Sequence, residues 1–263
     1  VPEVYATAPA RVSALLAGLV SKLAALVVLR LLVLVFHQPE ASQLLLALGV
    51  LTVLTGELAA WRARDFPRMI AFSSIGQLGI VFIAFSIDGD IGLLAGIAVA
   101  LHHLIAKSAL FGLSVRWSGS LEALAGAAKT APLAAGLYVL LALSLIGVPP
   151  LPGFWAKILF LVGLAQGGSA LELLALIAIL LVTAIEASYL FRVAVRLYQR
   201  GESPPPGHAP WDLGVAMALG VVLLASTLGI SPVADSLRSV ARQAGDAGLY
   251  VDTVFPKTVA RKD

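Results

Sequence analysis

Apolar residues run along this chain in long blocks separated by short polar breaks. A bilayer core about 30 Å thick needs about 20 apolar residues in a helix. Seven blocks meet that length, at roughly 11–36, 42–61, 67–87, 90–116, 132–166, 170–198 and 211–230. The fifth is too long for one straight span, and its middle reads Gly147-Val-Pro149-Pro150-Leu-Pro152-Gly153. Proline removes a backbone donor and clashes with the preceding turn, so the helix is expected to break at Pro149, Pro150, Pro152 and Gly153. Broken backbone at membrane depth survives only where it is buried in protein or lines a wet cavity, which points toward transport. The expected fold is all-α: a polytopic membrane protein with about seven transmembrane helices, one of them broken.

Composition supports this architecture. Of the 263 residues, 59% are hydrophobic and 13% charged, with a mean hydropathy of +0.96. Soluble domains carry roughly 25% charged residues, so a soluble enzyme and a disordered chain are both excluded. The net charge of +3 falls in short loops between apolar blocks and does not read as nucleic-acid binding. With no cysteine, disulfides, thiolate metal sites and thiol catalysis are absent. The chain opens on Val1 with no signal peptide, and is expected to be processed or a fragment of something longer.

Loop charge predicts orientation. Arg62, Arg64, Asp65 and Arg68, then Arg116 and Lys129, then Arg192, Arg196 and Arg200 share one side; Glu40, Asp88 and Asp90 lie on the other. The positive-inside rule places the basic loops in the cytoplasm and the C-terminus outside, in the cell inner (plasma) membrane. Residues 1–230 then form the transmembrane bundle, and 231–263 an external C-terminal segment. Within that segment Val233, Leu237, Val240 and Ala241 make one apolar stripe, as in a short interfacial helix. Residues 201–210 read as a stiff linker and Lys257 to Asp263 as a frayed tail.

The candidate chemistry lies in ionisable residues inside the blocks. A charge at mid-bilayer costs at least about 2.5–3.5 kcal/mol and is kept where it faces a polar interior. Lys22 lies in the first block and Glu57 near the cytoplasmic end of the second. His102, His103 and Lys107 lie in the fourth, Lys157 just past the Pro/Gly break, and Glu186 deep in the sixth. His103 and Lys107 are four apart and share a face. Low dielectric disfavours an ammonium, so a lysine in apolar surroundings loads and releases a proton more readily, and histidine titrates near neutrality already. Such groups on several helices can pass protons through intervening water, which Ser73, Ser74 and Gln77 in the third block are placed to order. Simpler readings compete. Lys129 snorkels from its loop, His102 packs, and Ser74 and Gln77 act as interhelical glue. Glu57 pairs with the loop arginines, and Glu186 partners Arg192 or another helix. No His/Glu metal spacing and no nucleophile elbow is present, so neither an intramembrane enzyme nor a cofactor is expected.

Four ordered stretches resemble the proton-conducting antiporter-like membrane subunits. Ala8-Pro-Ala-Arg-Val-Ser-Ala-Leu-Leu-Ala-Gly-Leu-Val-Ser-Lys22 is similar to their lysine-bearing eighth helix. Arg64-Asp-Phe-Pro-Arg-Met-Ile-Ala-Phe-Ser-Ser-Ile-Gly-Gln-Leu-Gly79 is similar to their D-x-x-R-x-x-A-[YF]-S-S-x-x-[HQ]-x-G element. Leu101-His-His-Leu-Ile-Ala-Lys-Ser-Ala-Leu-Phe111 resembles their histidine–lysine helix, and Gly147-Val-Pro-Pro-Leu-Pro-Gly-Phe-Trp-Ala-Lys157 their broken helix. The His-His pair, Gly153-Phe-Trp-Ala-Lys157 and the terminal Gly248-Leu-Tyr-Val-Asp-Thr-Val-Phe are similar to the C-terminal half of the D-type subunits of multisubunit Na+/H+ (Mrp-type) antiporters. Ile185-Glu-Ala-Ser-Tyr-Leu-Phe-Arg192 is similar instead to membrane-bound hydrogenase relatives. The resemblance implies helices eight to fourteen of a fourteen-helix subunit: the last helix of the first inverted repeat, the second repeat and the final helix. It implies proton translocation along Lys22, His103 with Lys107, and Lys157. The partners it implies are other subunits of a membrane complex, the lipid bilayer, H+ and, as one candidate, Na+. Two alternatives stay open: a proton-pumping subunit of a complex I-like or hydrogenase complex, and a non-conducting scaffold. The chain makes or breaks no bond itself, and would be part of a translocase only within a redox complex.

Overall fold

Helices α4 (Pro39–Arg62), α5 (Phe66–Phe85) and α6 (Asp90–Ser114) form the spine of the structure, a computed structural model describing residues 2–34, 39–117, 119–202, 207 and 210–254. Ahead of them stand the short α1 (Pro2–Thr7), α2 (Ala10–Leu15) and α3 (Ser21–Leu34), the last two joined by one π-turn at Leu16–Val20. After them come the short α7 (Ala127–Thr130), then α8 (Pro132–Ile146), α9 (Pro152–Gly167), α10 (Ala170–Tyr198) and α11 (Pro210–Leu228). Two further helices, α12 (Ile230–Gly245) and α13 (Ala247–Val254), end the described chain. Six of these units are long and apolar enough to cross a membrane: Ala10–Leu31, Glu40–Arg62, Phe66–Phe85, Asp90–Ser114, Ala170–Tyr198 and Pro210–Leu228. The seventh expected span is split into α8 and α9.

Local chemistry sets these boundaries. Asp65 caps α5, accepting from the Arg68 amide at 2.9 Å, with Pro67 in the first turn. Ser169 and Glu172 form a capping box at the start of α10. At the break, α8 ends on Gly147 at φ +90°, a left-handed conformation that suits glycine. The Val148 amide returns to the Leu143 carbonyl at 3.0 Å, and Pro152 opens α9.

The most deeply buried helices are α5 and α6. Helix α4 packs along α5, with Gly49 and Gly56 facing Gly76 and Gly79: a Cβ on Gly79 would lie 2.6 Å from the Val53 amide nitrogen. Small residues at such a seam let two backbones approach closely. Helix α10 covers α4 and reaches α8 and α9, while α2, α9, α11 and α12 surround α6.

Two apolar clusters occupy opposite ends of the bundle. One contains Ala60, Phe66, Leu110, Tyr138 and Leu197; the other contains Leu45, Val53, Ile80, Ala95, Phe160 and Val182. Along each of α4, α5, α6 and α10 the chain passes from one cluster to the other. Between them it sets down its buried polar residues: Glu57, then Ser73 and Gln77, then His102 and His103 with Lys107 close by, then Glu186. A polar layer therefore lies across the interior, sealed by hydrocarbon on both sides.

Most of the predicted linker (203–206, 208 and 209) and the predicted tail from Lys257 lie outside the described residues. The first block, expected as one plain helix, carries the π-turn in addition. The C-terminal stripe forms α12, which packs Ala241 and Ala244 against α6 and α3.

Candidate functional site

The polar layer is built around a two-rung ladder between α5 and α10. On α5, Ser73 and Gln77 are one turn apart; on α10, Glu186 and Tyr189 are one turn apart. Gln77 Nε2 donates to Glu186 Oε1 at 2.6 Å, and Tyr189 Oη donates to Ser73 Oγ at 2.7 Å. Each rung brings together one carboxylate and one lysine: in the first the carboxylate is Glu186 of α10 itself, in the second it comes from α4. In the first, Lys157 Nζ on α9 meets Glu186 Oε2 at 2.8 Å. In the second, Lys107 on α6 donates to Ser73 Oγ, and the Tyr189 hydroxyl lies 2.7 Å from Glu57 Oε2 on α4. One hydroxyl proton cannot serve both neighbours fully, so the Tyr189 hydroxyl is shared between Ser73 and Glu57. Hydroxyls thus link Glu57 and Lys107, whereas Glu186 and Lys157 touch directly.

The helix break positions Lys157. Carbonyls in the last turn of a helix lack intrahelical partners, and Lys157 Nζ donates to that of Ile146 at 3.1 Å. One side chain thereby ties the end of α8, its own helix α9 and Glu186 on α10. Gly153 lets α9 return against α8: a Cβ there would strike the Ser144 carbonyl and sit 2.9 Å from His102 Cε1. His102 Nε2 pairs with Ser144 Oγ at 2.8 Å. His102 and His103 stand with ring centroids 5.3 Å apart.

His103 is 2% exposed and lies one turn before Lys107 on the same helix. Lys22 sits just past the π-turn, where the Ala17 carbonyl accepts from Ser21 Oγ at 2.7 Å and from Lys22 Nζ at 3.1 Å. A π-turn in an α-helix often accompanies a functional position. Three atoms of the layer, Glu57 Oε1, Gln77 Oε1 and His103 Nδ1, are buried with no hydrogen-bond partner among the described residues. Buried polar atoms of this kind are ordinarily met by ordered water.

The structure changes several assignments made from sequence. Glu57 does not reach the loop arginines; it is 1% exposed and turned inward to Tyr189. Arg192 is not the partner of Glu186: it donates to the Trp61 carbonyl at 2.9 Å instead, because it lies a turn and a half further along α10. Ser74 points away from the ladder and donates to the Ile70 carbonyl of its own helix at 2.8 Å; Ser73 makes the contact with Lys107. Sequence reasoning singles out neither Tyr189 nor Ser144. Tyr189 had a signal, being three positions after Glu186 and so on the same face of α10. Ser144 carried none beyond its place one turn before Gly147. Pro149 and Pro150 are exposed at the break.

Comparison with known proteins sets this geometry in context. Residues 1–183 match the family model described as NADH:quinone oxidoreductase/Mrp antiporter, transmembrane. The chain is 27% identical over 265 residues to the Na(+)/H(+) antiporter D-subunit of Alkalihalophilus pseudofirmus, covering 97% of this chain and 53% of that protein. It is 34% identical over 242 residues to NADH-quinone oxidoreductase subunit 14 of Thermus thermophilus, covering 88% and 52%. A chain of the Mrp complex from a Dietzia species shares the fold, with a TM-score of 0.85 at 24% identity over 96% of this chain and 57% of that one. The chain spans about half the length of the curated relatives it matches. The match runs through the lysine-bearing first span, the α4–α5 seam, the histidine–lysine helix and the broken helix, and on that basis the chain belongs to the NADH:quinone oxidoreductase/Mrp antiporter transmembrane family.

Proposed function

We propose that this chain carries protons across the inner (plasma) membrane as part of a multisubunit Na+/H+ antiporter. The observation that carries the reading is the ladder, which places two lysine–carboxylate units one helical turn apart inside a sealed apolar bundle. Protons pass from Lys22 to His103 and Lys107 and then to Lys157, with ordered water bridging at the unpartnered His103 Nδ1, Gln77 Oε1 and Glu57 Oε1. Glu186 holds the Lys157 ammonium when it is charged. Release of that ion pair lets Lys157 give up its proton, because an unpaired charge in this setting is costly. Glu57 plays the matching part for Lys107 through Tyr189 and Ser73. His102 holds α6 to the broken helix through Ser144.

In this reading the loops bearing Arg64 and Arg116 and the end of α10 bearing Arg196 face the cytoplasm, and residues 231–263 lie outside. Na+/H+ exchange is supported by the Na(+)/H(+) antiporter relative. A redox-driven proton pump is supported by the quinone oxidoreductase relative and by Glu186. The deciding experiment follows the pH gradient in everted vesicles carrying the full complex, with and without Na+ and without an electron donor. Collapse that depends on Na+ supports antiport; a response only after a reductant is added moves the chain to the redox branch. Replacing Lys107 or Lys157 by alanine should abolish transport while the complex still assembles. Normal transport by both variants would overturn the relay and favour a scaffold.

A further inference from the structure

The proposed relay ends at Lys157, a buried group turned inward: its Nζ donates to the Ile146 carbonyl at 3.1 Å and to Glu186 at 2.8 Å. Toward the Asp88 end of the bundle, the cluster that contains Val53, Ile80 and Phe160 closes over it. A proton leaving Lys157 at that end has to cross this hydrocarbon.

The cluster is thin at one place. A cavity of about 400 Å³ opens at the Asp88 end between α4, the α5–α6 turn, α9 and the start of α10. None of its walls belongs to α1, α2 or α3. Gln43, Ser86, Asp88, Gln166 and Glu172 line it, and no lysine or arginine does. Ser86 donates its proton to the Ile83 carbonyl at 2.7 Å, so its oxygen offers the cavity only lone pairs. The Glu172 carboxylate is fixed by the Ser169 amide at 3.0 Å. Polar, roomy cavities of this kind hold water, and this lining suits a departing cation.

The floor includes Leu46, Ile87 and Gly163. The bare Gly163 keeps it open, since a Cβ there would stand 3.1 Å from Ile87. Gly163 lies six residues, or about 9 Å, along α9 from Lys157. Between the two, Phe160 is the one buried residue of that helix, and it is 0% exposed. Along α5 the same crossing, from Gln77 to Ser86, takes nine residues, or about 14 Å, past Ile80, Ile83 and Ala84.

We propose that this cavity is the mouth through which Lys157 exchanges its proton with bulk water, and that Phe160 is the apolar gate between them. The proposal rests on the relay of the proposed function. Apolar constrictions gate by admitting or expelling water. With Phe160 across the path, the ammonium serves Glu186 and the polar layer. When the ring moves aside, the flexible four-carbon stem lets Nζ turn along α9 toward Gly163. Water there takes the proton, so the ammonium becomes an amine as the water becomes hydronium.

The test reads the barrier without relying on transport. In the full complex in nanodiscs, Lys157→Cys is treated with a small cationic methanethiosulfonate reagent, and adducts on this chain are read by mass spectrometry. Glu186→Gln accompanies it in every variant, so that no buried carboxylate is left unpaired. The introduced thiol should react slowly. Adding Phe160→Ala should raise the rate about tenfold, and Phe160→Leu, which loses less packing, should raise it by a smaller factor. Adding Ser42→Trp to Phe160→Ala fills the cavity from α4 and should return the rate to its starting value. Equal rates with and without the Phe160 substitutions, or a rate that Ser42→Trp leaves high, overturn the proposal. With Lys157, Glu186 and Phe160 native, Ser42→Trp alone should slow proton transport by the complex in vesicles about fivefold; unchanged transport overturns the part given to the cavity. A complex that keeps the labelling pattern but moves no protons under either driving force overturns the relay while still supporting the gate.

Discussion

Tyr189 is the residue on which the second rung depends. Its hydroxyl is the sole link between Ser73 and Glu57 among the described residues. Tyr189→Phe keeps the ring in place and removes that link, leaving the buried Glu57 carboxylate without a donor among the described residues while Ser73 keeps that of Lys107. Each buried polar group left unmet costs about 1–3 kcal/mol. The expected result is a lower melting temperature for the purified complex and slower proton transport with intact assembly; an unchanged pH-gradient assay would remove Tyr189 from the pathway. Glu186 calls for a paired experiment. Glu186→Gln strands the Lys157 ammonium and should cost about 3–5 kcal/mol, whereas Glu186→Gln with Lys157→Met removes both charges and should recover most of that loss. Stability is then restored in the double variant while transport stays abolished, and thermal melts beside vesicle transport separate the two. Lysines, histidines and glutamates inside apolar blocks were visible in the sequence because each violates its surroundings. Their partners were not, since Glu57 and Tyr189 are 132 positions apart and only tertiary packing sets their register.

At the scale of elements, the α4–α5 seam and the helix break carry the site. A Cβ on Gly76 would lie 2.9 Å from Glu57 Cγ, so Gly76→Ala must push the carboxylate or the helix aside. Overpacking of this kind costs about 1–3 kcal/mol, and transport should fall with it. Gly136→Ala on α8 meets nothing within 4 Å and serves as the control, neutral in both melting and transport. Gly153→Ala should be severe, because its new methyl would enter the Ser144 carbonyl and force α9 away from α8. Loss of activity with normal membrane insertion, read by quantitative immunoblot beside the transport assay, is the expected pattern. The seven apolar blocks and the Pro/Gly break were legible because bilayer thickness and proline chemistry act locally. The π-turn at Leu16–Val20 was not, for its sequence is an ordinary apolar run and its cause lies in packing. Gly18 offers one such cause, since a Cβ there would meet Ser108 of α6.

At the scale of the whole molecule, these 263 residues hold no cysteine, so single cysteines introduced among them report orientation. Single cysteines placed at Glu122 and at Asp88 lie in loops at opposite ends of the bundle. The proposed orientation predicts labelling of the Glu122 position by an impermeant maleimide only in everted vesicles, and of the Asp88 position only in right-side-out cells. The reverse pattern would invert the proposed sidedness and leave the ladder untouched. The two hydrocarbon clusters with a polar layer between them have an electrical consequence. Moving one elementary charge through the whole membrane potential is worth about 2.3 kcal/mol per 100 mV. A proton that hops sideways within the layer stays at nearly constant depth and does almost no electrical work. The field then acts only on the steps that carry a proton in through one cluster and out through the other. If the layer lies near mid-depth, each of those steps spans roughly half the drop, or about 1.2 kcal/mol per 100 mV. Membrane voltage would thus govern loading and release, while the exchange among lysines would run at a rate indifferent to it.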